Sequence, residues 1–258
     1  MTSRHRQKDI EFDFSGSALA TSWKQLHEGD REPWPEDSRV QEAWRAFHSG
    51  DFPTAVKLGS ALGAAGAAVA NKAAAVQTLY QERGGAKILQ MLEAAISRGE
   101  HAVAERPDDA NIHYTLALVL GRYSQRISIL NALAQGLGTK VRSHLQRALE
   151  LEPHHAEAHV AMGLFHAEIL NKLGAIAGGL TYGASKDEAL EHFKRASRLA
   201  PGSPSVQLEK AHGLLLLGPT RHGAEARAIL AKVASLRPHD SMEAQDIAYA
   251  SRDPAGMS

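Results

Sequence analysis

Fourteen histidines in 258 residues put metal chemistry first among the reactions to consider. His155-Ala-Glu-Ala-His159 sets two imidazoles one helical turn apart, a spacing that can chelate a divalent metal. His166 follows two turns later. Glu157 stands between the first two but faces elsewhere, and the order is not the H-E-x-x-H of zinc hydrolases. No third ligand follows from spacing, so these histidines are expected to pack rather than to bind metal. Gly178-Gly-Leu-Thr-Tyr-Gly183-Ala-Ser-Lys186 has the glycines of a phosphate loop. Ala184 stands where the loop lysine belongs and no strand precedes it, so a turn is the expectation. Gly84-Gly85-Ala-Lys87 reads the same way. Cysteine is absent, which removes thiolate nucleophiles, disulfides and Cys-based metal sites. Serines and carboxylates occur in no elbow or strand-end context. A non-enzymatic chain with no cofactor is the expectation.

The elements that must position these residues are helices. Alanine supplies 44 residues and aromatics only 5%. Alanine is the best helix former and lets backbones approach, whereas a β-sandwich would need β-branched and aromatic runs. Lys plus Arg and Asp plus Glu are 29 each, so net charge gives no footprint for nucleic acid or an anionic surface. The start is charged, with no apolar run typical of a signal peptide, and no apolar run reaches bilayer length. A cytoplasmic location is the default, with no nucleic acid and no membrane span among the partners.

Residues 1–37 show no period. They read as a polar arm, partly disordered, with a short helix near 17–28. The alternative is a strap whose Phe12, Phe14, Trp23 and Trp34 dock on the body or on a partner. From 38 to 250 helical periodicity holds, and 251–258 form a tail. Ser38-Arg-Val-Gln41 and Ser185-Lys-Asp-Glu188 read as capping boxes. Asp109 and Ser203 read as N-caps. Four segments share one pattern: Ala95-x3-Gly99-x2-Ala102-x4-Pro107, Val141-x3-Leu145-x2-Ala148-x4-Pro153, Ala189-x3-Phe193-x2-Ala196-x4-Pro201 and Ala226-x3-Leu230-x2-Val233-x4-Pro238. Apolar or small residues at i, i+4 and i+7 mark one close-packing face, and the proline ends each helix.

This pattern resembles the tetratricopeptide repeat (TPR), most closely over Ala148-Leu-Glu-Leu-Glu-Pro153-His-His-Ala156-Glu-Ala-His159. The stretched repeats and Leu120-Gly-Arg-Tyr123 also resemble the TPR region of the regulator of microtubule dynamics family. The resemblance implies an all-α, right-handed α-solenoid of about four helix pairs with lengthened middle helices. Gly50-Asp51-Phe52 resembles the turn of an earlier, degenerate unit. The extra length lies in apolar inserts at 121–140 and 167–188, each expected to prolong a first helix and loop back. His113, His159 and His166 hold repeat positions where aromatics pack.

In TPR arrays the first helices line a concave groove. Carried onto this sequence, the groove positions are Asn111, Tyr114, Leu118, Gly121 and Arg122, then Glu157, Val160, Leu164, Ala167 and Glu168, with Lys172 one turn on. Ser205, Leu208 and His212 are candidates in the last unit. Arg122 is expected to pair with Glu168, as a structural ion pair or as a clamp for an acidic group. The implied function is a protein-interaction module taking an unidentified partner helix or peptide. Self-association through the inserts into a homo-oligomer, and a small-ligand or metal pocket, are the alternatives.

Overall fold

Residues 11–252 are described in a computed structural model of the chain. Residues 1–10 and 253–258, the outer parts of the expected arm and tail, lie outside the described residues. Among the described residues the structure is all helical. α1 (Ala18–Leu26) precedes five consecutive pairs. They are α2 (Ser38–Ser49) with α3 (Phe52–Ser60), α4 (Ala67–Val76) with α5 (Gly85–Glu105), and α6 (Ala110–Ser124) with α8 (Leu137–Leu151). The last two are α9 (Ala156–Tyr182) with α10 (Lys186–Leu199), and α11 (Pro204–Leu217) with α12 (Pro219–Ala234). A short α7 (Ile129–Ala134) interrupts the third pair, and α13 (Ser241–Ala250) closes the array. Each pair packs on the next, which is a solenoid. There are five pairs rather than about four, because the degenerate unit is a complete pair, α2 with α3.

The expected face of small and large residues explains the packing. Ala95, Ala148, Ala189, Ala196 and Ala226 are fully buried. Phe193 of α10 wedges between Gly163 of α9 and Gly213 of α11, and a Cβ on either glycine would collide with its ring. Asp109, Ser185 and Ser203 cap α6, α10 and α11 by accepting backbone N–H groups. His155 caps α9, its Nδ1 accepting from the Ala158 N–H at 3.0 Å. The cap of α2 is Asp37, not Ser38. Its carboxylate accepts from the Arg39 N–H, and Ser38 is the first helical residue.

The inserts differ from each other. The first does not prolong α6, which ends at Ser124, and it forms the separate α7 instead. The second does prolong α9, but Gly174 leaves helical geometry (φ 78°, ψ 167°). Residues beyond it fold back, which brings Gly178 against Ile169. By length and composition alone Ala156–Tyr182 would pass for a bilayer-spanning helix, with a mean hydropathy of 1.2, but the break at Gly174 divides it. A third of that window is buried against neighbouring helices.

Residues 11–37 pack on the body. Phe14, Leu19 and Trp23 are buried in a cluster with Val40, Trp44, Phe47 and Phe52. The docking alternative describes this segment, and partial disorder does not describe residues 11–37. Phe14 and Trp23 are buried and Phe12 is half-buried, and this apolar burial works against the entropy cost of ordering the segment; Trp34 stays 41% exposed. At the other end α13 returns to α2. Ser241 sits on Gly50, whose φ of 93° and contact with the serine both require glycine.

Candidate functional site in the concave groove

The first turns of α6 and α9 carry Asn111 and Glu157 at the expected groove positions. Both are occupied by the chain's own strap. The Glu157 N–H donates to the Gly29 carbonyl at 3.0 Å, and Asn111 Nδ2 donates to the Asp30 carbonyl at 3.1 Å. The Asn111 side chain is thus taken up by the strap, and the Glu157 carboxylate pairs with Lys72. Asn111 Oδ1 also meets His155 Nε2 at 3.0 Å.

The strap's side chains complete a buried polar chain. It runs from Asp240 to His48 (2.7 Å), His27 (3.2 Å), Asp30 (2.8 Å), Lys72 (2.5 Å) and Glu157 (2.9 Å). All six side chains are buried. Three consecutive contacts, Asp30 to His27 to His48 to Asp240, require three N–H protons from two imidazoles. The two imidazoles thus bridge the carboxylates of Asp30 and Asp240. Burial holds His27 down at about 4. Burial would raise Asp30, but His27 and Lys72 hold it well below the carboxylate range. Burial would lower Lys72, but Asp30 and Glu157 raise it instead. Glu157 is raised by burial despite the ammonium.

Beyond the strap the groove is open and apolar. A cavity of about 160 Å³ is walled by α6, α7, α8 and α9. Of the groove positions, Tyr114, Leu118, Gly121, Arg122, Glu157, Val160, Leu164, Glu168 and Lys172 line it, and Asn111 and Ala167 do not. Tyr114 and Val160 are buried, while Leu118 and Leu164 are half-buried. The inserts form its outer wall through Ile129, Leu133, Leu173 and Tyr182.

Arg122 does not pair with Glu168. It donates to Glu209 of α11 at 2.7 Å. Glu168 instead accepts from Gln125 at 2.5 Å and from Lys172 at 3.0 Å. Burial would raise Glu209, but Arg122 and His212 hold it at about 2. In the last unit Leu208 is buried in the core, and Ser205 and Glu209 face a second, smaller cavity. Glu209 was missed because it lies one residue off the repeat frame. Lys72 had a usable signal: it is the lone charge in Ala67–Val76, a helix buried on every side. A charge there needs a buried counter-ion.

The histidines are committed to structure. His113 and His159 each donate Nε2–H to a proline carbonyl, Pro107 at 2.9 Å and Pro153 at 3.2 Å. Each then accepts at Nδ1 from a second histidine, His144 at 3.0 Å and His192 at 2.9 Å. His166 Nδ1 takes the Ser185 N–H. The three expected aromatic positions thus hold hydrogen-bonded imidazoles.

The model of the family described as Regulator of microtubule dynamics protein 1-3 matches residues 67–249. The chain belongs to this family. The match runs from α4 to α13 and leaves out the strap and the first pair. Among solved structures, a thermophilic TPR protein of Thermus thermophilus is similar, with a TM-score of 0.59 and 18% identity. The similarity covers 84% of this chain and 98% of that one. It supports the TPR-like solenoid as a fold. No curated protein matches the sequence. In this member of the regulator of microtubule dynamics family, His27, Asp30 and His48 come from outside the matched region. They nevertheless close the polar chain inside it.

Proposed function

We propose that this chain is a non-enzymatic protein-interaction module of the cytoplasm. A partner helix or peptide docks in the part of the concave groove that the strap leaves open. The observation that carries this reading is the 160 Å³ cavity, which brings Leu118, Val160 and Leu164 together under the Arg122–Glu209 and Glu168–Lys172 pairs. Apolar contacts supply affinity there, and the ion pairs at its edge set register. A photo-crosslinking residue at Leu164 should capture a discrete partner, and the same residue at Gln146, exposed on α8, should not. Equal capture at both positions would overturn the groove assignment. The family name brings microtubule regulation as a candidate context, which co-sedimentation with microtubules checks directly.

A second reading is self-association. It is favoured by Leu130, Ile176 and Leu180 on the inserts, which are 77%, 82% and 86% exposed. Sedimentation over a hundredfold concentration range separates the two, because a monomer throughout removes the second.

A further inference from the structure

A second cavity of about 70 Å³ lies deeper in the groove, between α4, α11 and α13. It holds several times the space one water needs. It shares Tyr114, Leu118, Arg122, Glu157, Val160 and Glu209 with the apolar cavity, so the two adjoin across these side chains. Its far wall carries Asp246 of α13, 5% exposed. Asp246 accepts from the Tyr80 hydroxyl at 2.5 Å and from the Ser205 hydroxyl, and it has no cationic partner among the described residues.

The charges around the cavity do not balance. Three carboxylates line it, Glu157, Glu209 and Asp246, against two cations, Lys72 and Arg122. Lys72 is also shared with Asp30 behind it, and Arg122 is bound to Glu209. His212, raised by its contact with Glu209, is paired with that carboxylate. A desolvated carboxylate with only hydroxyl donors is stabilised most by a cation placed against it. Tyr80 and Ser205 donate to Asp246, and each keeps a lone pair for a further donor. Two hydroxyl oxygens and a carboxylate make three acceptors, which matches the three donors of an ammonium.

We infer that this chamber is a site for a primary ammonium on an aliphatic chain, with Asp246 as its counter-ion and the apolar cavity holding the chain. This rests on the groove reading and specifies what the groove recognises: a lysine side chain of the docked partner. A free alkylamine has the same chemistry, and the test separates the two. Burial raises Asp246 to about 7, so binding an ammonium near neutral pH is accompanied by proton release.

The test is calorimetric titration of the full chain with hexylammonium, hexan-1-ol and an amidated Nα-acetyl-lysine. Hexylammonium is expected to bind at least ten times more tightly than the alcohol, and more tightly at pH 8 than at pH 6. The lysine derivative binding as well identifies a peptide side chain as the source; hexylammonium alone identifies a free amine. Asp246→Asn should lose at least tenfold in affinity for the ammonium while its own melting temperature holds or rises, because an uncompensated buried carboxylate has been removed. Tyr80→Phe and Ser205→Ala should each weaken binding several-fold. Equal binding of alcohol and ammonium, or unchanged ammonium affinity in folded Asp246→Asn, overturns the ammonium site. Either result leaves the groove reading intact, because the Leu164 crosslink tests that reading separately. If Asp246→Asn melts lower and also loses no ammonium affinity, the carboxylate is a structural hub only.

Discussion

The two halves of the concave groove meet different fates. Near the helix starts, Asn111 and Glu157 face inward and are covered by residues 27–33, with every charge buried and paired. Two turns on, Leu118, Val160 and Leu164 face the same way and line an open cavity. The repeat frame is the same in both places. The difference is what else the chain lays over it. A groove-facing position is therefore a statement about direction, and availability depends on segments that carry no repeat signal.

The largest effect should come from the closed half. Lys72 is the only ammonium between Asp30 and Glu157. Lys72→Met strands two buried carboxylates and should cost about 3–5 kcal/mol of stability. Urea unfolding measures this, and a loss below about 1 kcal/mol would mean the strap is not held by the network. Arg122 lines the open half. Arg122→Ala leaves the half-buried Glu209 with only His212 beside it, at a cost of about 1–3 kcal/mol. Adding Glu209→Gln should recover most of that. If the double variant is no better than the single, the two charges are not coupled.

Acid should separate the halves in time. Burial holds His27 at about 4, His155 at about 3, and His159 and His166 at about 4. Their folded values lie below the unfolded one, so the unfolded chain takes up protons first. The stability they contribute is present above about pH 6.5 and is lost as pH falls toward about 4. Asp246, raised to about 7, acts with the opposite sign over part of that range. Glu32, Glu157 and Glu243 are raised as well and act the same way, whereas His144, His192 and His222 are lowered like the four histidines above, which leaves a net loss. His27 and His155 both belong to the strapped half, so amide exchange at pH 5 should quicken around residues 27–33 before it does along α12. Uniform exchange would break the comparison.

The solenoid was legible because its signal is local. Four prolines and the small-large-small faces repeat in four of the five helix pairs, and the groove positions read from that frame on α6 and α9 mostly line one cavity. What stayed hidden depends on distant contacts. Asp240 meets His48 across 192 residues, and Lys72 meets Glu157 across 85. The strap has no period, so its aromatics looked isolated although Trp23 packs on Trp34, Trp44 and His27. The partner of Arg122 was misassigned to the adjacent first helix, because the stagger of α6, α9 and α11 is a tertiary property. Lys72 was the one hidden residue with a local clue, a single charge in a run of alanines.

The smallest effect on stability belongs to the open half's rim. Ile176 and Leu180 are more than four-fifths exposed and follow the break at Gly174. Replacing both with serine removes little buried area, so the folded state should change by no more than about 0.5 kcal/mol per site. Their exposure still has a consequence, because aliphatic surface left in water favours association with any apolar partner. If the inserts join two copies, the double serine variant should sediment as a monomer at concentrations where the parent does not. If the rim instead guides a partner into the cavity, both proteins stay monomeric, and the Leu164 crosslink weakens in the variant. A stability loss of about 2 kcal/mol or more would place these side chains in the core and remove the contrast between a sealed and an open half.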